Sequence, residues 1–124
     1  MRFGRRLITP SYTRIPTYDS TNGNERTFAF DCAECSKRIS LQFSKMIGDE
    51  YRWKDNFDDE TQEQIVQHYQ LNIVGKSPDG GWPAIKSCRC MNCSTNYLLY
   101  AGIKEVSNSV YVITVQGVTE VYDE

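Results

Sequence analysis

Two cysteine pairs, far apart in the chain, constrain this sequence more than any other feature. Cys32-Ala33-Glu34-Cys35 lies in the first third and Cys90-Met91-Asn92-Cys93 in the last. Four thiolates in a C-x-x-C…C-x-x-C arrangement meet the tetrahedral demand of one Zn²⁺, and the short spacing lets each half grip the ion from a tight turn. The expected ligands are Cys32, Cys35, Cys90 and Cys93, and the expected cofactor is one structural zinc ion. A different metal or an iron–sulfur centre draws on the same donors and is a lesser alternative. A disulfide framework needs an oxidising compartment. Residues 1–6 are basic enough to open a signal peptide, but Leu7-Ile8-Thr9-Pro10-Ser11-Tyr12 is no apolar core for one. A redox site needs one C-x-x-C beside a βαβ pattern, and that pattern is missing. The fifth cysteine, Cys88, shares a strand face with Cys90. Spacing favours Cys90 as the ligand and leaves Cys88 as a small buried hydrophobe or a reactive thiol.

The two halves resemble each other beyond the cysteines. At one fixed offset Cys32, Cys35, Ser36 and Leu41 fall on Cys90, Cys93, Ser94 and Leu99, and Ile39 falls on Tyr97. Each half reads as a turn carrying two ligands followed by a strand. Two such knuckles facing one ion resemble the zinc-ribbon group. One departure is notable: many knuckles carry Gly after the second Cys, where the backbone tends to a left-handed conformation, and both copies here carry Ser.

The 124 residues fit one domain and are enough to bury a real core, so zinc acts as a staple rather than as the sole source of stability. The expected fold is α+β, mainly β: a zinc ribbon with a C-terminal antiparallel sheet and one inserted helix. Residues 1–26 carry Arg, Thr, Pro, Asn and Ser and read as an extended arm with one short strand near 2–9. Residues 27–43 and 84–105 form the ribbon halves, 44–83 a helical insertion, and 106–124 the last strands. Within the insertion, Phe57, Thr61, Ile65 and Tyr69 recur every four residues behind Asp58-Asp59-Glu60, which predicts a helix at about 58–71 with one face inward. The alternation at 97–105 and the apolar run at 110–115 predict a hairpin with a central strand. Gln116-Gly117 permits a bulge, and 118–122 offers a further strand.

Apolar residues at 40% and charged residues at 24% are ordinary for a soluble domain, and the apolar runs are too short to span a bilayer. No membrane association is expected, and the cytoplasm is the expected compartment. A net charge of −2 argues against nucleic acid, whose phosphates draw on clustered Lys and Arg. Residues 49–63 concentrate acidic groups, Asp58, Asp59 and Glu60 among them. They form either a solvated face or a contact for a basic protein partner. Trp82, between a Gly pair and Pro83, is either a plug in its own core or an exposed anchor. The single histidine, His68, reads as a surface helix residue. No Ser-His-Asp set, phosphate-cradling Gly loop or H-E-x-x-H is present, so an enzyme is not expected.

Gly80-Gly81-Trp82-Pro83, then residues 100–105 and 114–121, resemble a group of small, mostly uncharacterised bacterial zinc-ribbon proteins across about residues 28–122. Some proteins of that kind sit beside contact-delivered toxins as cognate immunity proteins. The resemblance implies a non-enzymatic, zinc-stapled protein-binding module that blocks a toxin with a basic surface by stoichiometric binding. The alternative is a nucleic-acid-binding zinc ribbon, supported by Arg2, Arg5, Arg6, Lys37, Arg38 and Arg89 near the knuckles.

Overall fold

A computed structural model describes residues 1–8, 13–19, 27–42, 45, 52–71, 82–107 and 110–122. The elements in chain order are β1 (Arg2–Ile8), β2 (Thr13–Asp19), β3 (Thr27–Asp31), β4 (Arg38–Gln42), a 3₁₀ turn (Trp53–Asn56), α1 (Asp59–Tyr69), β5 (Trp82–Arg89), β6 (Asn96–Ser107) and β7 (Val110–Tyr122). The fold is α+β and mainly β, as expected.

β5, β6 and β7 form successive antiparallel neighbours. The other edge of β7 is shared: β1 pairs with its C-terminal half and β2 with its N-terminal half. The strand expected near 2–9 is β1. Residues 13–19, expected within a loose arm, instead form a second sheet strand, because long β7 offers them an unpaired row of N–H and C=O groups. β3 and β4 make a separate two-stranded sheet.

Side-chain alternation along β6 divides the core in two. Tyr97, Leu99, Ala101 and Ile103 face one side, where Phe28, Phe30 and Ile39 of the β3–β4 hairpin cover them. Leu98 and Tyr100 face the other, where Trp53, Ile65, Tyr69 and Leu71 pack. The main sheet is therefore a middle layer, with the small hairpin on one face and α1 on the other. Having no wet face, β6 is apolar on both sides.

α1 starts where its sequence places it. The Asp58 carboxylate accepts the Thr61 N–H at 2.8 Å, capping the first turn. The helix ends at Tyr69, two residues short of the expected boundary, and is capped by Gln70 with φ 57°, whose N–H returns to Gln67 O and Val66 O. Ile65 and Tyr69 lie on its buried face, as the four-residue recurrence required. The strands expected at 110–115 and 118–122 are one strand, β7, running through a bulge. Tyr100 pairs with Gly117 but Ala101 with Val115, so Gln116 is the extra residue. The bulge reverses the facing of everything after it. Val115 and Val118, three apart, both face the hairpin, while Thr119 turns toward α1.

His68, expected on the helix surface, is half-buried. Its ring stacks on Phe3 at 4.1 Å and 4° between planes, and Nε2 lies 3.2 Å from the Thr119 hydroxyl. Among the described residues, no helix is long and apolar enough to cross a membrane. Phe43, Asp49, Glu50, Ile73, residues 75–81 and Asn108 lie outside the described residues.

Candidate metal centre

Each C-x-x-C caps a hairpin, and the two caps are built alike. The last strand pair before the turn is Asp31 with Arg38 in the first hairpin and Arg89 with Asn96 in the second. Within the turns, Cys32 N–H donates to Lys37 O at 2.8 Å and Ser36 N–H to Cys32 O at 2.9 Å. Cys90 N–H donates to Thr95 O at 2.9 Å and Ser94 N–H to Cys90 O at 2.8 Å. The residue after the second cysteine is left-handed in both, with φ 67° at Ser36 and 68° at Ser94. The internal repeat is thus a repeat of backbone geometry. Ser takes the glycine-like conformation at a cost on the order of 1 kcal/mol each.

Packing the β3–β4 hairpin on the main sheet brings the two knuckles together. The Sγ atoms of Cys32, Cys35, Cys90 and Cys93 all lie within 4.8 Å of one another. Cys32 Sγ is 3.6 Å from Cys93 Sγ, and Cys35 Sγ is 3.5 Å from Cys90 Sγ. Tetrahedral coordination with metal–sulfur bonds of about 2.3 Å sets sulfur atoms about 3.8 Å apart. A disulfide requires about 2.05 Å, and all five cysteines are free. The four sulfurs therefore fit one ion. Cys32 and Cys90 are buried, Cys35 is half-buried and Cys93 is exposed, so the centre has one solvent-facing corner.

Polar groups around the sulfurs differ between the halves. Buried Tyr97 directs its hydroxyl to Cys32 Sγ at 3.1 Å and accepts the Ala33 N–H at 3.0 Å. The Thr95 hydroxyl lies 3.1 Å from Cys93 Sγ, and the Asn92 side chain bonds Cys35. Burial opposes ionisation of Cys32. The Tyr97 hydroxyl and the peptide N–H groups of Cys35 and Glu34 outweigh it and bring the thiol down to about 6. Cys35 is also lowered, first by Asn92 and then by the Lys37 N–H. Cys90 accepts the Cys93 N–H, yet burial and the adjacent Cys35 and Cys93 sulfurs raise it to about 11. Four thiols this close do not all ionise without a cation between them. The donor set is suited to a cation and incomplete without one.

Tyr97 is a site residue that no cysteine spacing points to. In the sequence it reads only as the counterpart of Ile39. A hydroxyl where the repeat has a hydrocarbon is the available signal. Beside it lies a second unanticipated group. Glu120, paired in register with Tyr97, is fully buried and receives Arg5 Nε at 2.5 Å and the Tyr122 hydroxyl at 3.2 Å. The Arg5 guanidinium holds the Glu120 carboxyl below its ordinary range against the opposing effect of burial. Arg5 also pairs with Glu34 inside the first knuckle, tying β1 and β7 to the metal centre.

Cys88 is not one of the four. It packs against the hairpin-side core, and burial pushes its thiol up to about 12, against a smaller lowering by Lys86. Among the other singled-out residues, Asp58 is occupied as the helix cap, while Asp59 and Glu60 are exposed on the first turn of α1. Trp82 opens β5 and is 44% exposed, so it does not plug the core. Trp53 fills that role at 2% exposure. Arg2 lies over the Tyr122 ring and Arg6 over the Tyr69 ring, each at 5.2 Å. With Arg5 ion-paired, the N-terminal arginines are engaged within the fold. Lys37, Arg38 and Arg89 are exposed around the knuckles.

Comparison with protein-family models, curated proteins and solved structures gave no significant match.

Proposed function

We propose that this chain is a non-enzymatic protein-binding module whose frame is stapled by one structural Zn²⁺ held by Cys32, Cys35, Cys90 and Cys93. The observation that carries the reading is the closed donor set: four sulfurs within 4.8 Å of one another. Catalytic zinc keeps three protein ligands and one exchangeable position, whereas structural zinc uses four. Four soft thiolates in tetrahedral array select zinc or iron, and spacing this tight has no room for a sulfide-bridged cluster. Zinc is redox-inert and suits a staple.

Support for protein binding comes from the surface. Trp82 is a large exposed aromatic, the residue type that anchors interfaces. Asp59 and Glu60 present free carboxylates suited to steering a basic partner. The sharpest form of the reading comes from the resemblance to small bacterial zinc-ribbon proteins: an immunity protein that blocks a cognate toxin by stoichiometric binding.

Elemental analysis of protein purified without added metal is expected to give one zinc per chain. Co-expression with the product of the neighbouring gene is expected to yield a defined-stoichiometry complex. In that complex Trp82→Ala speeds dissociation, and the Asp59→Lys/Glu60→Lys pair slows association and flattens its salt dependence. Asp58 is left intact because its reversal would also uncap the helix. No complex, or a complex indifferent to both variants, refutes the protein-binding reading while leaving the zinc assignment to the metal analysis.

A further inference from the structure

We infer that the groove between the two knuckles binds an acidic segment of a partner polypeptide. This groove, of about 420 Å³, runs between the start of β4 and the second knuckle. Its polar wall carries Lys37, Arg38, Ser40, Arg89 and Asn92, and Met91 stands at the rim. Three cations converge on it and none of its lining residues is acidic, in a chain whose net charge is −2. All three cations are exposed. Among the described residues, only Arg38 faces a carboxylate, that of exposed Asp31 at 3.7 Å. A contact that long and wet holds the guanidinium weakly.

Met91 is 92% exposed. The knuckle itself does not require an apolar side chain there, since the first copy has Ala33 at the matching position. An adaptable thioether beside three cations offers both halves of what a mixed acidic and apolar segment needs. The groove walls are the two metal-bridged knuckles, so little ordering remains to be done on binding. The volume lies within the range of clefts that hold small ligands, about 300–1,000 Å³. Nucleic acid fits less well: none of the lining residues is aromatic, so bases find no stacking platform. Asp59 and Glu60 lie on α1 and Trp82 at the opposite end of β5 from Arg89, and this surface has the opposite charge to the acidic pair. It is therefore a second contact beyond the one proposed above.

The test uses the full zinc-loaded chain and a labelled peptide of about ten residues alternating Glu and Leu, with fluorescence anisotropy at low ionic strength. Oligo-dT and a Lys-Leu peptide of the same length serve as comparisons. Binding of the acidic peptide is expected, weakened by about tenfold or more in Lys37→Gln/Arg38→Gln/Arg89→Gln. Met91→Ser weakens it several-fold without changing the salt slope. Asp59→Lys/Glu60→Lys leaves it intact, which separates this surface from the acidic one. Zinc content and circular dichroism check that each variant folds. Should a variant misfold, the single Arg89→Gln change replaces it. No peptide binding, binding indifferent to the three cations, or tighter binding of oligo-dT than of the acidic peptide overturns the inference.

Discussion

Tyr97 and Ile39 occupy matching positions in the two repeats, yet only Tyr97 touches a ligand. Its hydroxyl serves Cys32 and Ala33 together, so removing one oxygen leaves a thiolate short of a donor and an N–H short of an acceptor. Tyr97→Phe is expected to keep the fold and lower metal affinity about 10-fold to 100-fold, measured by competition with a chromophoric chelator. Cys88 supplies the contrasting case. Its thiol stays protonated at neutral pH because burial has raised it to about 12. Cys88→Ala is expected to retain full metal stoichiometry, whereas Cys90→Ala loses it sharply; the reverse pattern would overturn the ligand assignment. The serines at Ser36 and Ser94 obey backbone geometry. Ser94→Gly should be tolerated, and Ser94→Val should cost about 1–2 kcal/mol in denaturant unfolding, because a β-branched residue resists a left-handed φ.

At the scale of elements, β1 is held on α1 and β7 by groups that titrate. Burial and nearby Arg6 both depress His68. A depressed pKa means the folded state disfavours the imidazolium, so this contribution is full above the unfolded value of about 6.5 and is lost as pH falls below it. Thermal stability is expected to decline from pH 7 to pH 5.5, and His68→Phe, which keeps the stack on Phe3, should flatten that slope. An unchanged slope would show that His68 does not control it. Asp58 acts lower on the scale. Its hydrogen bonds with the Thr61 side chain and N–H lower its pKa, so the helix cap persists at neutral pH and fails only in acid, as pH falls through the folded value. Asp58→Ala should lower the Tm by a few degrees at pH 7, and the difference should shrink as the carboxyl protonates in acid.

For the whole molecule, an ion bound between the knuckles would hold the β3–β4 hairpin to the main sheet. The main sheet has a core on both faces and five strands of its own. The β3–β4 hairpin has two strands, one packed face and the first knuckle. Isolated two-stranded sheets are marginal in water. Structural zinc contributes apparent binding energy of about 10–16 kcal/mol, comparable to the stability of an entire domain. Chelation is therefore expected to release amide-exchange protection in residues 27–42 while β6 and β7 stay protected. Uniform loss across the chain would show that the metal organises the entire fold.

The sequence by itself determined which four cysteines cluster, the knuckle repeat, the capped helix and the β-rich C-terminus. Each is a local pattern: a spacing, a four-residue recurrence or an alternation that fixes geometry within a few residues. It also marked Gln116-Gly117 as a place for a bulge. What the bulge does was illegible, because its consequence depends on what covers each face of β7. By reversing the alternation after Val115 it turns Glu120 toward the hairpin, where Arg5 meets it, and Thr119 toward Tyr69 and His68. The same limit hid the pairing of β2, the partial burial of His68 and the exposure of Trp82. These are contacts between distant parts of the chain, and tertiary packing decided them, since a local pattern names a face without saying what will cover it.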